Sequence, residues 1–492
     1  MTASRTDEAD VIVVGCGSAA FAAAIAIREL GAERVVMLEK APEPEFGGNP
    51  RWSHSGFRWV QSGPEEVREF LPDLEESEFK KAVLNPYRAE DFHSHLNQAT
   101  RGRMEPEILS ALVNDSNASV HWLKDVGLKW QLDLKMEIDG HFYFEPGYSI
   151  HPVGGGLGQL HQLRDIATGM GIEIRYESGV SALHGDRTRI EGVQVASKDG
   201  AYDLSAPIVV LAAGGFQASP EMRARYLPPN ADLMKIRGSR HNTGEVLRMA
   251  LELGAAAAGQ WGLGHCSLVS ADGPRREIIG RQYSRYSYPY GISVNTRGQR
   301  YCDEGENFRM VTYNVMGWKA LAEPGGTAWQ IFDQKVKHEG NTLLRSGYFA
   351  GGESYEADTI GELAEKIGLS AEVLEHTVNT YNDAASSDAE FDPTVLDGKR
   401  TTGVMPPKSN WATKIDEGPF MAFPVTAGVT FTFGGVQVSS DAQVLNSSGE
   451  HIEGLYASGD IMGVFYHGYV GSTGQTRNVV FSRRAAAHAM SR

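Results

Sequence analysis

Asp10-Val11-Ile12-Val13-Val14-Gly15-Cys16-Gly17-Ser18-Ala19-Ala20 decides the fold of this chain. Asp10 to Val14 reads as a buried strand, and Ala19 to Leu30 as an alanine-rich helix suited to close packing on a sheet. Arg34 to Leu38 reads as a second strand, ending at Glu39. Together these make a βαβ unit. Gly15 permits the tight turn, Gly17 lets the backbone approach a pyrophosphate, and the small Ala20 keeps the helix close to the strand. The free N–H groups at the helix start face phosphate, and Glu39 is placed to accept hydrogen bonds from a ribose diol. Glycine turns also occur without ligands. The full series of strand, turn, helix, strand and terminal Glu specifies a dinucleotide site, with Gly15, Gly17, Ser18, Ala19, Ala20, Glu39 and Lys40 as its first contacts.

Further along, Gly47 to Trp59 is a loop rich in Gly, Pro, Ser and Arg, and Glu65 to Asp125 holds several helical patterns. Leu128 to Phe144 is strand-like with a turn at Asp139-Gly140, and Gly154-Gly155-Gly156 opens a helix reaching Gly169. Ile172–Tyr176, Gly179–Leu183, Ile190–Ser197 and Pro207–Leu211 follow as strands, the last running into Ala212-Ala213-Gly214-Gly215. Thr243 to Gly254 and Ile360 to Ala384 read as helices. Dinucleotide-like signals return at Gly434. The chain therefore divides into a cofactor domain, 1–260 and 433–492, interrupted by a second domain at 261–432.

At 492 residues the chain is too long for one ordinary domain. Its formal charge of −16 argues against a general nucleic-acid or anionic-membrane surface. Cys16, Cys266 and Cys302 form no CxxC, haem or iron–sulfur spacing, so no metal is expected and a reducing compartment fits. Met1 to Asp10 lacks a signal pattern, and no apolar run spans a bilayer. The expectation is a soluble cytoplasmic protein with no transmembrane segment.

The tail distinguishes FAD from NAD. Gly454-Leu455-Tyr456-Ala457-Ser458-Gly459-Asp460 resembles the second FAD signature of flavoprotein oxidoreductases, in which the residue at Asp460 binds the ribityl chain. Val210 to Gly215 resembles their intermediate strand and turn, which adds Ala213 and Gly214. Gly47-Gly48-Asn49 and Gly291-Ile292-Ser293-Val294-Asn295 through Arg300-Tyr301 resemble the fumarate reductase/succinate dehydrogenase flavoprotein superfamily, over nearly the whole chain. Within it the chain is similar to the tricarballylate dehydrogenase group. The matching stretches are Gly47-Gly48-Asn49-Pro50-Arg51, Arg300 to Arg309, Phe431-Thr432-Phe433-Gly434-Gly435 and Phe465 to Gly474. It departs from that group at Pro50, Gly468, Val470 and Ser472.

The resemblance implies an α/β fold: a Rossmann-type FAD-binding domain with an inserted α+β capping domain, and an active site at their junction. Gly48, Asn49, Gly459, Asp460 and Gly474 join the expected FAD contacts. Respiratory flavoproteins attach FAD through a histidine that falls near Asn49 here, so non-covalent FAD is expected, with His54 the histidine nearby. The implied reaction forms or reduces a carbon–carbon double bond beside a carboxylate or carbonyl, on a small polycarboxylic acid. Electrons then pass to an external acceptor: oxygen, a quinone or a redox protein. His265, Arg309, Tyr469 and His467 are the catalytic candidates, and Arg51, Arg58, His265 and Arg309 the substrate ligands. Each has a plainer alternative: a junction histidine, an ion pair of Arg309 with Glu304 or Glu306, a tyrosine packed on the flavin, a loop cap. Tyr283, Tyr286, Tyr288 and Tyr290 form an aromatic patch. An enone or 3-ketosteroid dehydrogenase, and a catalytically inactive flavin-binding partner protein, are the alternatives.

Overall fold

The βαβ opening folds as its pattern requires. The computed structural model describes residues 7–133, 136–138, 140–278, 282–337, 351–385 and 388–491. Strand Val11–Val14 is fully buried, and helix Ser18–Glu29 follows it after a turn of three residues. The strand sits inside a six-stranded sheet, between Ile208–Leu211 and Val35–Leu38. Glu173–Arg175 extends one side, and His451–Ala457 and Gln443–Leu445 the other. Only the Gln443–Leu445 edge runs antiparallel. A strand from near the C-terminus therefore pairs with residues 209–211, and the last helix, Thr473–Met490, packs across Ser18–Glu29. A run of apolar residues in the central strands is what two-sided burial demands.

A second sheet is organised by the thirteen-residue strand Phe420–Thr432, which pairs with Gly264–Ser270, Thr327–Phe332 and Tyr355–Ala357. Lys235–Ile236, upstream of residue 261, also joins this sheet. Phe420–Thr432 leads straight into the turn at Gly434, so one strand carries the chain from the second sheet back toward the first. The fold is thus mixed α/β with two large sheets, as expected.

Two expected elements differ. Ile360 to Ala384 is two helices, Ile360–Lys366 and Ala371–Ala384. Gly368 takes a left-handed φ of +72° and the Ser370 hydroxyl caps the second helix by accepting from Val373 N–H, so the chain turns between two apolar-periodic segments. The stretch Leu128 to Phe144 is three short strands, Trp130–Leu132, Met136–Ile138 and His141–Tyr143. Residue Asp139 of the expected turn, and Met1 to Thr6, lie outside the described residues. Among the described residues no helix is long and apolar enough to cross a membrane.

Candidate active site

The turn after the first strand opens into a cavity of about 450 Å³. Gly15 has φ +113°, and a Cβ there would lie 2.5 Å from the Ala212 carbonyl oxygen, so both conformation and space demand glycine. Gly17 is different. A Cβ on it would meet only the Gly47 oxygen, at 3.6 Å. The neighbouring chain does not require glycine there, and its missing side chain leaves room for a ligand. Gly17 caps Ser18–Glu29 without a side-chain hydrogen bond, and no acidic residue stands in the first turn. The helix amides are therefore available to a phosphate.

The Glu39 carboxylate lines this cavity and is fixed by two backbone amides, accepting from Cys16 N–H at 3.1 Å and Ala41 N–H at 2.9 Å. Burial raises its pKa, and those amides work the other way. Lys40 crosses the rim to Thr243 Oγ1 at 2.5 Å and Glu245 at 2.8 Å. Ser18, Ala19, Gly48, Asn49, Ala213, Gly214, Gly459 and Asp460 also line the cavity. Ala20 does not: it is fully buried against the sheet, where its small size is the point. Asn49 donates to the Thr430 carbonyl at 2.6 Å and accepts from Ser239 N–H at 3.0 Å, tying the Gly47–Trp52 loop to the second sheet. Asp460 pairs with the buried Arg477. A long groove with a helix start at one end and a fixed carboxylate beside it suits FAD.

Asn49, Pro50, Asp460 and Asn478 also line a second cavity, of about 150 Å³, between the two large sheets. His265 reaches it from Gly264–Ser270, at a bulge in the pairing with Phe420–Thr432 that aims the side chain inward. Arg309 is the first residue of helix Arg309–Leu321, and Tyr313 follows one turn later on the same face. Both line the cavity, with Tyr469 opposite. Asn314 holds Tyr469 in place: its Nδ2 donates to the Tyr469 carbonyl at 2.8 Å, and its Oδ1 accepts from Tyr469 N–H at 3.3 Å.

These side chains form a connected network. Tyr286 O–H donates to Ser267 Oγ at 3.2 Å. Ser267 Oγ lies 2.9 Å from His265 Nε2, and His265 Nδ1 lies 3.2 Å from Tyr469 Oη. Tyr313 Oη lies 2.7 Å from Tyr469 Oη. Burial pushes the His265 pKa well below the ordinary imidazole value, helped by the positive charge of Arg237. Burial pushes the Tyr469 pKa well above that of a free phenol, with Tyr313 adding to the shift. At neutral pH the site presents a neutral imidazole and protonated phenols.

The structure separates the remaining expected residues. Arg309 pairs with Glu145 at 3.4 Å; Glu304 is taken by Arg300, and Glu306 by Lys319. Arg58 is 1% exposed, and its guanidinium donates to the carbonyls of Gly471 and Pro146. It buttresses the tail loop and lies outside both cavity linings. Arg51 lies against Trp52, its guanidinium carbon 5.7 Å from the ring centre, and His467 stands near Arg101 and Arg103. Neither lines either of these two cavities. Gly474, Pro50 and Ser472 line the second cavity; Gly468 and Val470 do not. His54 lines it too and is bonded to Asp133.

Arg237 and Tyr313 were not anticipated. Arg237 lines the second cavity, donates from Nη1 to Thr430 Oγ1 at 3.0 Å, and leaves a buried Nε with no hydrogen-bond partner. Its guanidinium carbon and that of Arg309 lie 5.7 and 5.6 Å from the Tyr286 ring centre. Two cations thus converge at one wall. The i, i+4 spacing from Arg309 was a signal for Tyr313, while nothing in the sequence around Arg237 marked it.

A dinucleotide groove that adjoins a donor-lined chamber suits a nucleotide-cofactor oxidoreductase. Residues 10–476 match the FAD binding domain family, FAD_binding_2, and the chain belongs to it. It is an FAD-dependent oxidoreductase. A probable fumarate reductase, Ifc3, of Shewanella frigidimarina is 28% identical over 505 residues, covering 100% of this chain and 77% of that protein. The vinyl phenol reductase of Lactiplantibacillus plantarum is 26% identical, covering 94% of this chain and 91% of its own length. The open conformation of a flavocytochrome c3 fumarate reductase superposes with a TM-score of 0.73 at 27% identity, covering 99% of this chain and 78% of that one.

Proposed function

We propose that the chain interconverts a carbon–carbon double bond and its saturated form beside a carboxylate or carbonyl. FAD, when bound, would supply or accept a hydride at one carbon, while a proton is added or removed at the adjacent carbon. The observation that carries this reading is the hydrogen-bond network that closes around the Tyr469 hydroxyl. Tyr286 donates to Ser267. Ser267 then donates to His265 Nε2, which leaves the imidazole proton on Nδ1 facing Tyr469 Oη. Tyr313 Oη lies 2.7 Å from the same oxygen, and we assign its proton to that contact. On that assignment the Tyr469 oxygen accepts from both neighbours, and its own proton is left to donate into the cavity. This tautomer is an assignment from the network. A substrate oxygen receiving that proton as a hydrogen bond is polarised where negative charge develops.

Arg237 supplies the fixed positive charge for the substrate's carboxylate, with its Nε as an unused donor. Arg309 moves the proton: it is a cation at a helix start that disfavours cations, and Glu145 at 3.4 Å offers a route for reloading it. Asn314 is a positioning residue for Tyr469. Residues 261–432 act as the cap over the cofactor domain. The names of relatives, fumarate reductase and vinyl phenol reductase, support this reaction class. The tricarboxylic acid implied by the motif resemblance is the finer reading, yet Arg237 and a Glu145-paired Arg309 are few cations for three carboxylates.

FAD is held without a covalent bond on this reading, because Asn49 stands where an attaching histidine is expected and His54 is engaged by Asp133. Acid precipitation then releases all flavin. The three cysteines are unpaired and buried, which supports a reducing, cytoplasmic location. The test is turnover of a panel of unsaturated acids and enones with reduced methyl viologen, and of their saturated forms with a dye acceptor. Turnover of the conjugated compounds and not of isolated alkenes supports the reading. No turnover in either direction by flavin-loaded protein overturns it and favours a binding protein.

A further inference from the structure

A third cavity, of about 290 Å³, adjoins the catalytic one, and Tyr148, Tyr286 and Arg309 line both. Resting on the function proposed above, we propose that this chamber holds an aromatic group at the far end of the substrate. The substrate class is then a β-aryl unsaturated acid or carbonyl compound rather than a polycarboxylate.

The chamber's composition sets its preference. Tyr143, Phe144, Tyr290, Phe308 and Trp411 supply rings to its wall. The Tyr290 and Phe308 rings each sit 6.0 Å from Trp411, Tyr290 edge-on and Phe308 tilted. Such walls favour a flat π system. Glu145 and Arg309 are the charged groups among its described lining residues, and they pair with each other. A second or third carboxylate entering here meets the Glu145 anion, with the nearest cation already neutralised. Size argues the same way. An apolar cavity of roughly 150 Å³ admits benzene. The catalytic chamber, of about that volume, has no room for both a ring and the reacting acid. The outer chamber is nearly twice as large. Half of the tyrosine patch noted in the sequence serves this wall: Tyr286 and Tyr290 line it, while Tyr288 is buried and bonded to Thr312 at 2.6 Å.

The test compares kcat/KM for acrylate, cis-aconitate and cinnamate in flavin-loaded enzyme driven by reduced methyl viologen. Cinnamate should exceed both others by about tenfold or more, the scale on which one pocket group discriminates. Val395 lies on the rim of the chamber and is 47% exposed, so Val395→Trp narrows the chamber without disturbing a packed core. It should lower the cinnamate-to-acrylate ratio by about tenfold or more. Cis-aconitate equal to or better than cinnamate, or a ratio unmoved by Val395→Trp with flavin retained, overturns the inference while the proposed reaction stands. Failure of all three substrates overturns both together.

Discussion

Replacing Tyr469 by Phe removes one oxygen from the centre of the proposed site and keeps the ring. That oxygen is 2.7 Å from Tyr313 Oη and 3.2 Å from His265 Nδ1. Loss of a donor aimed at developing charge costs about 10²–10³-fold in rate, or roughly 3–4 kcal/mol. The ring's volume is unchanged, so no cavity forms. Stability falls by about 1–3 kcal/mol, because His265 and Tyr313 lose a buried partner. Tyr313→Phe is the companion variant. It leaves the Tyr469 proton free to donate and removes one supporting bond, a cost of about tenfold. The assay is kcat/KM for the best unsaturated acid in each variant, with bound flavin as the fold control. Burial keeps the Tyr469 phenol protonated well past the ordinary tyrosine range, so wild-type activity should not fall there through its ionisation. A Tyr469→Phe enzyme within twofold of wild type, or one no worse than Tyr313→Phe, refutes the network argument.

Three further outcomes follow from local geometry. Gly15→Ala places a Cβ 2.5 Å from the Ala212 oxygen at a φ of +113°, so purified protein should lose most of its flavin, read as bound FAD per chain. Burial raises the Asp133 pKa, but the charge and hydrogen bond of His54 outweigh it and hold the carboxyl at about 2. A depressed carboxyl stabilises the fold above its unfolded pKa, near 4, and that contribution is lost as pH falls toward 2. Asp133→Asn should therefore cost about 2 kcal/mol at neutral pH in denaturant unfolding, with the difference from wild type shrinking across that acid window. Burial lowers Lys408 to about 8, against the nearby Glu304. The unfolded chain binds more protons between pH 8 and the free-lysine value near 10.5. Lysine ionisation then makes wild type gain stability over that window, by about 3 kcal/mol at most, and Lys408→Met should lack that gain.

What could be read from the sequence was what is local. The strand, glycine turn, helix and Glu39 are contiguous and periodic, so most of the cofactor groove was legible, although Ala20 packs on the sheet and Gly474 lines the second cavity instead. Tyr313 was legible in principle, one turn from Arg309. Arg237 was not: it reaches the site because Lys235–Ile236 pairs with Gly428 and Val429, almost two hundred residues away. The partners of Arg58, Pro146 and Gly471, are likewise remote in sequence. His467 lies where the tail turns with a left-handed φ of +59°, and neither of those two cavity linings includes it. The long helix at 360–384 had the right period but contained its own stop, Gly368, and its own restart, Ser370.

The most direct test of the central claim is a single turnover. Flavin-loaded enzyme is reduced without oxygen, mixed with a conjugated unsaturated acid in a stopped-flow instrument, and the product is identified. Oxidised-flavin absorbance should return with one double bond reduced per FAD, and at least a hundredfold more slowly in Tyr469→Phe. Flavin that stays reduced with every conjugated acid and enone offered, or that reoxidises as fast in Tyr469→Phe, contradicts it.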